Sequence, residues 1–403
     1  MFLLVILSLF CLGALVYAWG LYPFLLARLA AVRPAAPASG ARSKPTVSII
    51  LAAHNEEDVI GARLANLAEA ARTAGERVAG VTVYVGVDGS TDQTQARAES
   101  FAGQAAGVRV YGFPQRRGKM ATVKDLAGRA EGDILVFTDA NTLFDRDALV
   151  QLLAGFADPG VGGVCGRLVF ESATGAPVRE TSYWEWETRL KSAESRLDSC
   201  LGANGAIYAV RRDLFWRAIP DNTIIDDFVV GMKVREQGYR MRFAEAAVAR
   251  EETPPVLHHE WRRRVRIGAG NYQALRLCRR CLLPRYGWFA WMFGSHKVLR
   301  WFTPHMLLAL LAAGSVLIGA GRVHGHVASC AFVVGLLAAG VPTGLLLAAL
   351  AGRLVRGHGG FLFRVLQLCE YFVVMQAALL AGFGRFCRGD LSGIWQRTPR
   401  GAG

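Results

Sequence analysis

Hydrophobic positions fall into contrasting regimes along the chain. From Phe2 to Ala27 the sequence is almost wholly apolar and carries no charge. About twenty such residues cross a bilayer, so 1–27 is predicted to be a transmembrane helix. No basic residue precedes the run, it exceeds the apolar core of a signal peptide, and Arg28, Arg33, Arg42 and Lys44 follow it. An uncleaved anchor with its C-terminal end in the cytosol is expected. Residues 28–45 form a linker, Pro/Ala-rich from Pro34 to Pro45.

From Thr46 the period shortens. Thr46–Ala53 (TVSIILAA), Val81–Val87, Val108–Tyr111 and Ile134–Phe137 read as buried strands. Between them, Glu56–Ala74, Thr91–Gly103 and Lys119–Ala130 carry amphipathic helical patterns. This alternation predicts an α/β domain over 46–283 with a mostly parallel sheet covered by helices on both faces. In such sheets ligands bind beyond the carboxyl ends of the strands. After Pro284 the chain turns apolar again. Gly287–Phe293 (GWFAWMF) is too short to span, so 284–300 is expected to be interfacial. Spans are predicted at about 301–320, 327–350 and 361–384 within a C-terminal membrane region 301–384, followed by a basic tail 385–403.

Composition sharpens this picture. The 403 residues are 52% hydrophobic yet 19% charged, with a formal net charge of +14. The basic residues cluster beside apolar runs, for example Arg353, Arg356 and Arg364. That is the positive-inside bias of membrane proteins. Zinc-finger spacing and basic-aromatic RNA motifs are lacking, so nucleic acid is not an expected partner. The eight cysteines are scattered, and Cys278-x-x-Cys281 has no second pair at metal spacing. They read as reduced thiols.

Each predicted strand ends in a polar cluster: His54-Asn55-Glu56-Glu57, Asp88-Gly89-Ser90-Thr91-Asp92, Gln115-Arg116-Arg117-Gly118-Lys119, and Thr138-Asp139-Ala140-Asn141. One such cluster could be a helix cap. Four in succession on the ligand-binding edge point to a site. Carboxylates there can read a base or ribose and hold a divalent cation, and Arg or Lys beside glycine can hold phosphates.

The succession HNEE, VDGSTDQT, RRGK and FTDAN resembles the family-two inverting glycosyltransferases of the GT-A fold. The resemblance continues through GANGAIYAVRR (Gly202–Arg212), similar to the acceptor-side glycine segment, and IIDDF (Ile224–Phe228), similar to the TED element. RRRVRI (Arg262–Ile267) resembles the Q-x-x-R-W element of membrane-bound polysaccharide synthases of the cellulose, hyaluronan and poly-N-acetylglucosamine type, and WQRT (Trp395–Thr398) is similar to a basic Trp motif near their ends.

This resemblance implies a role for each matching residue. Asp88 contacts the nucleobase, with Asn55 and Glu57 shaping the same pocket. Lys119 and Arg263 serve the nucleotide. Asp139 binds Mg²⁺ or Mn²⁺ through the diphosphate, with Asn141 as second ligand. Gly205 lines the acceptor side. Asp227 is the general base with Asp226 beside it, and Arg266 stabilises the departing diphosphate. The sequence departs from the family at Asn141, where many relatives have Asp, at Asp226, where they have Glu, and at Ile267, in place of an aromatic residue that contacts the acceptor in polymerising relatives. Read from the residues alone, Arg262–Arg266 could equally be a membrane-surface anchor. Tyr183, Trp184 and Trp186 could stack on a sugar or belong to a core, and His258 and His259 read as structural.

The expected activity is transfer of a sugar from a nucleoside diphosphate donor, UDP-linked, to a growing polysaccharide at the cytosolic face of the inner (plasma) membrane, with coupled export. The alternatives are addition of one sugar to a membrane lipid acceptor, and a non-catalytic nucleotide-sugar-binding protein. Expected partners are the donor, a carbohydrate or lipid-linked acceptor, and membrane lipids. Three C-terminal spans would place the tail outside, whereas Arg385, Arg388, Arg397 and Arg400 favour the inside. Either one apolar segment fails to cross, or Trp288–Phe293 joins Val298–Phe302 as an extra crossing; Arg364 and Glu370 are unfavourable at membrane depth, so 361–384 is the segment predicted not to cross completely. A reporter enzyme fused after Gly403 should therefore be active in the cytosol; activity only on the external face would show that all three segments cross.

Overall fold

The computed structural model describes residues 1–33, 44–172, 181–253, 257–323, 329–354 and 360–391. Most of the linker, the Trp395–Thr398 motif with Arg397 and Arg400, and the side chains of Tyr183, His258 and His259 lie outside the described residues. The chain forms two compact units, one of residues 26–257, 273–290 and 391–403, the other of 1–25, 258–272 and 291–390.

The first unit is built on an eight-stranded sheet. Its strands are β1 (Thr46–Ala53), β2 (Gly80–Asp88), β3 (Val108–Phe113), β4 (Ile134–Asp139), β5 (Thr142–Phe144), β6 (Val161–Ser172), β7 (Tyr208–Arg211) and β8 (Arg240–Thr253), in the order β3-β2-β1-β4-β7-β6-β8-β5. β1 pairs in parallel with both β2 and β4, and β2 with β3. β7 runs antiparallel to β4 and β6, and β5 to β8. All of β1 after Thr46 is buried, as expected for a parallel strand covered on both faces. Helix Glu57–Ala74 buries Ile60, Leu64, Leu67, Ala70 and Ala74 along one stripe, and these join Ile49, Leu51, Val85, Val136 and Leu149 in a single core. Each such Leu or Ile contributes about 1.5–3 kcal/mol on burial.

Register positions the site. Ala53 lies opposite Val87, Ala52 opposite Asp139, and Asp88 opposite Phe113. The carboxyl ends of β1, β2, β3 and β4 are thus level, and their polar clusters emerge along one edge. The chain leaves β1 toward β2 on one side and returns as β4 on the other. This reversal is the topological switch point where open α/β sheets hold ligands.

The second unit contains most of the chain's apolar helices. Among the described residues four helices are long and apolar enough to cross a membrane, Phe2–Ala31, Thr303–Val323, Cys330–Leu354 and Phe361–Cys387. Close backbone approach joins Thr303–Val323 to Cys330–Leu354, and Phe361–Cys387 to helix Leu257–Cys278. A Cβ at Gly314 would lie 2.5 Å from the Ala339 nitrogen, and one at Gly382 2.6 Å from the Ala269 nitrogen. Small residues at such crossings are how membrane helices associate. The apolar segment before the second of these helices is bound to the N-terminal one: Trp291 Nε1 donates to the Tyr17 hydroxyl at 2.7 Å, and the buried Arg300 donates to the Ala18 carbonyl at 3.3 Å.

Candidate active site

The loops after β1 and β2 are stitched together. Asn55 has a left-handed backbone (φ 54°), which costs a non-glycine residue about 1–2 kcal/mol but is best tolerated by Asn and Asp. Its side chain stabilises the turn, accepting from the Thr91 amide at 2.8 Å, while its own amide donates to Ser90 Oγ at 3.0 Å. Glu57 accepts from the Gln93 amide at 3.2 Å, and Asp92 accepts from the Glu57 amide at 3.2 Å and the Thr94 amide at 3.0 Å. The two helix N-termini that follow β1 and β2 are therefore capped reciprocally.

Asp88 is fully buried, and its two carboxylate oxygens accept from the Arg117 and Gly118 amides, each at 2.8 Å. In this arrangement the carboxylate closes the loop that delivers Lys119 rather than facing the surface. Gly89 permits the closure. Its φ is +60°, and a Cβ there would lie 2.6 Å from the Arg116 nitrogen.

Lys119 begins the next helix and reaches across the sheet edge. Its Nζ donates to Asp139 Oδ1 at 2.7 Å and lies 4.0 Å from Asp226 Oδ2. Asp226 and Asp227 open helix Asp226–Glu236, where anions are favoured by the exposed amides. Asp227 accepts from the Phe228 amide at 2.8 Å. These groups converge on Gly205, where a Cβ would sit 3.1 Å from Asp139 Oδ2, 3.3 Å from Lys119 Nζ and 3.6 Å from Asp227 Oδ2. The absence of a side chain leaves that volume open beside all three.

The electrostatics follow. Burial opposes charge on Lys119, but Asp139, Asp226 and Asp227 outweigh it and hold the ammonium above its ordinary range. Burial and the neighbouring Asp226 push Asp227 up to about 6, against the pull of Lys119 and of the Phe228 amide. Asp227 is therefore poised to exchange a proton near neutral pH, as a general base must.

Three carboxylates around one ammonium leave the cluster net negative, which suits a divalent cation. Among the described residues no group of three or more His, Cys, Asp or Glu side chains could hold a metal by itself. Asp139 has one oxygen on Lys119 and the other on the Gly205 side. Asn141 donates its side-chain amide to Glu251 Oε1 at 2.8 Å, a bond that does not use its carbonyl oxygen. Two protein oxygens fit a hard cation that completes its shell with phosphates and water.

The structure brings Lys119, Asp139, Asp226 and Asp227 together and gathers Asn55, Glu57 and Asp88 at the neighbouring loops. Arg263 and Arg266 stand on helix Leu257–Cys278, in the portion belonging to the other unit, where Arg264 donates to the Tyr371 hydroxyl at 3.2 Å. Trp184 packs against Phe170 of β6, with ring centroids 5.2 Å apart. Several residues were not anticipated. Lys191 lies 3.8 Å from Cys165 Sγ; burial lowers its affinity for the proton, but Cys165, Cys200, Asp227 and Glu194 raise it further. Glu251 orients Asn141, and Arg63 lies under β4. An arginine interrupting the apolar stripe of helix Glu57–Ala74 was the one available signal. Cys278 and Cys281 are free and buried, and burial raises both thiols, Cys281 to about 12.

Comparison with known proteins places this geometry. Residues 48–218 match Glycosyl transferase family 2, and residues 134–380 match Glycosyl transferase family group 2. An N-acetylglucosaminyltransferase from Azorhizobium caulinodans is 25% identical over 215 residues, 50% of this chain and 54% of that protein. A poly-beta-1,6-N-acetyl-D-glucosamine synthase from Staphylococcus aureus is 25% identical over 238 residues, 57% of this chain and 55% of that protein. The chain spans about half the length of these curated relatives. A mannosyltransferase from Pyrobaculum calidifontis, solved in complex with GDP-Man and Mn²⁺, superposes with a TM-score of 0.70 at 22% identity, covering 94% of this chain and 99% of that one. That likeness is one of fold, and the sheet with its helices is a GT-A domain. With a family match that runs from β4 into the last apolar helix, the chain belongs to glycosyl transferase family group 2.

Proposed function

We propose that this enzyme moves a sugar, with inversion, from a UDP-linked donor to a growing carbohydrate chain at the cytosolic face of the inner membrane. The observation that carries the reading is the convergence of Lys119, Asp139 and Asp227 around the open position at Gly205. Leaving-group charge and acceptor proton can both be managed there. Two relatives are named for N-acetylglucosamine, which makes UDP-N-acetylglucosamine the first donor to test.

In this mechanism Asn55, Glu57 and the loop closed by Asp88 form the nucleotide pocket. Lys119 neutralises diphosphate charge. Asp139 and Asn141 would hold a divalent cation, Mg²⁺ or Mn²⁺, which would supply further neutralisation of charge on the diphosphate. Asp227 removes the acceptor hydroxyl proton as its oxygen attacks the anomeric carbon opposite the leaving group, which inverts that centre. Asp226 keeps Asp227 basic enough to accept the proton. The resemblance of RRRVRI to the Q-x-x-R-W element assigns Arg266 to the leaving diphosphate and Arg263 to the nucleotide. Export of the product would use the apolar helices. Ile267, in place of an acceptor-contacting aromatic residue, favours the second reading, addition of a single sugar to a membrane lipid.

Membranes bearing the protein, supplied with a panel of labelled nucleotide sugars, should incorporate label from UDP-N-acetylglucosamine into a long product. A single-sugar lipid product would select the second reading, and no transfer from any donor would defeat both. Asp227→Asn should lower kcat by about 10²–10⁴-fold with donor binding retained; near-normal turnover removes Asp227 as the base. In the wild type kcat/KM should fall as pH drops through about 6, because protonated Asp227 cannot accept a proton; a flat profile down to pH 4 would contradict this. Asp139→Ala should abolish cation-dependent nucleotide binding, and chelation should silence the wild type until Mg²⁺ or Mn²⁺ returns. Full activity in excess EDTA would refute the cation site.

A further inference from the structure

Beneath this site lies a buried cation for which the mechanism above has no use. Arg63 projects from the inward face of helix Glu57–Ala74 and has 0% exposure. Burial of a guanidinium without a carboxylate partner is strongly unfavourable, and an apolar side chain would fit the surrounding stripe of Ile60, Leu64 and Leu67. The hydrogen-bond partners of Arg63 among the described residues are nevertheless neutral. Nη1 donates to Asn66 Oδ1 and Nη2 to Thr138 Oγ1, both at 2.5 Å. The guanidinium carbon lies 4.4 Å from the centroid of the Phe144 ring, and Nε is buried without a hydrogen-bond partner.

All these contacts lead to one turn. Thr138 immediately precedes Asp139, and its hydroxyl passes the contact on, donating to the Ala206 carbonyl at 2.7 Å. Thr142, just after Asn141, lies 3.2 Å from the same hydroxyl. Asn66 binds Phe144 through both backbone groups, donating to its carbonyl at 2.9 Å and accepting from its amide at 2.8 Å. The guanidinium therefore grips the strand before Asp139-Ala140-Asn141 and, through Asn66, the strand after it. It also reaches Ala206, the neighbour of Gly205.

We propose that Arg63 is a positioning residue that locks the Asp139–Asn141 turn against the Gly205–Ala206 segment, holding the cation-binding oxygens at a fixed place relative to the acceptor side. This rests on the reading of Asp139 and Asn141 given above. The planar fork explains the residue type, since two diverging donors on one rigid group can hold two elements in register and a lysine cannot. Burial lowers the guanidinium to about 9, with Asp139 opposing the fall, so the group stays cationic at neutral pH and adds a fixed positive charge behind the turn.

The test uses the full-length protein in detergent with UDP present. Mn²⁺ affinity is read by electron paramagnetic resonance and folding by Tm, for Arg63→Lys, Arg63→Met and Thr138→Val. Outer partners of metal ligands typically change affinity by about 10–100-fold. Arg63→Lys and Thr138→Val should weaken Mn²⁺ binding about tenfold or more, with Tm within a few degrees of the wild type. Wild-type Mn²⁺ affinity in either folded variant would overturn the proposal and leave Arg63 a core residue. Should Arg63→Met fail to fold, the other two variants decide. A wild type that binds no Mn²⁺ with UDP would defeat the reading of the cation site itself, and the proposal with it.

Discussion

One ammonium facing three carboxylates is the interaction on which the site depends. Lys119 cannot be removed from water for its own sake; only Asp139, Asp226 and Asp227 make its charged form favourable there. The carboxylates are in turn kept close by it, since like charges at this separation repel strongly in a half-dry environment. The cluster is therefore a balanced set. Its members come from distant parts of the chain, and the sheet edge exists to bring them within reach.

That edge is held in shape by hydrogen bonds among its own loops. Asp88 spends both oxygens on backbone amides so that Lys119 starts its helix at the right place. Asp92 and Glu57 cap one another's helices, and Asn55 accepts an uncommon backbone conformation to join the loops. For the proposed nucleotide site, such preset backbone would reduce the ordering that binding must impose.

Much of the first half of the sheet was legible in the sequence because parallel strands buried on both faces are short apolar runs. Thr46–Ala53 was read with its observed ends. The second half was not. β6 contains Gly162, Gly163 and Gly166, where neighbouring side chains and backbone fill the space a Cβ would need, and glycine weakens any strand pattern. β7 has only four residues, and β8 mixes charged with small residues. Lys119, Asp139, Asp226 and Asp227 could be read because each sits in a motif of fixed order. Arg63, Lys191 and Glu251 could not, because their meaning lies in contacts across the fold. The apolar helices followed from length alone, although their ends lie a few residues later than expected.

The glycine contact between Leu257–Cys278 and Phe361–Cys387 has a mechanical consequence. Where Gly268 and Gly382 meet, no side-chain layer separates the two helices. The run Arg262–Arg266 is thereby tied to the last apolar helix, and Arg264 adds a hydrogen bond to Tyr371. If that helix lies in a bilayer, its tilt responds to the thickness of the hydrocarbon. Membrane thickness would then be converted into displacement of a row of positive charges.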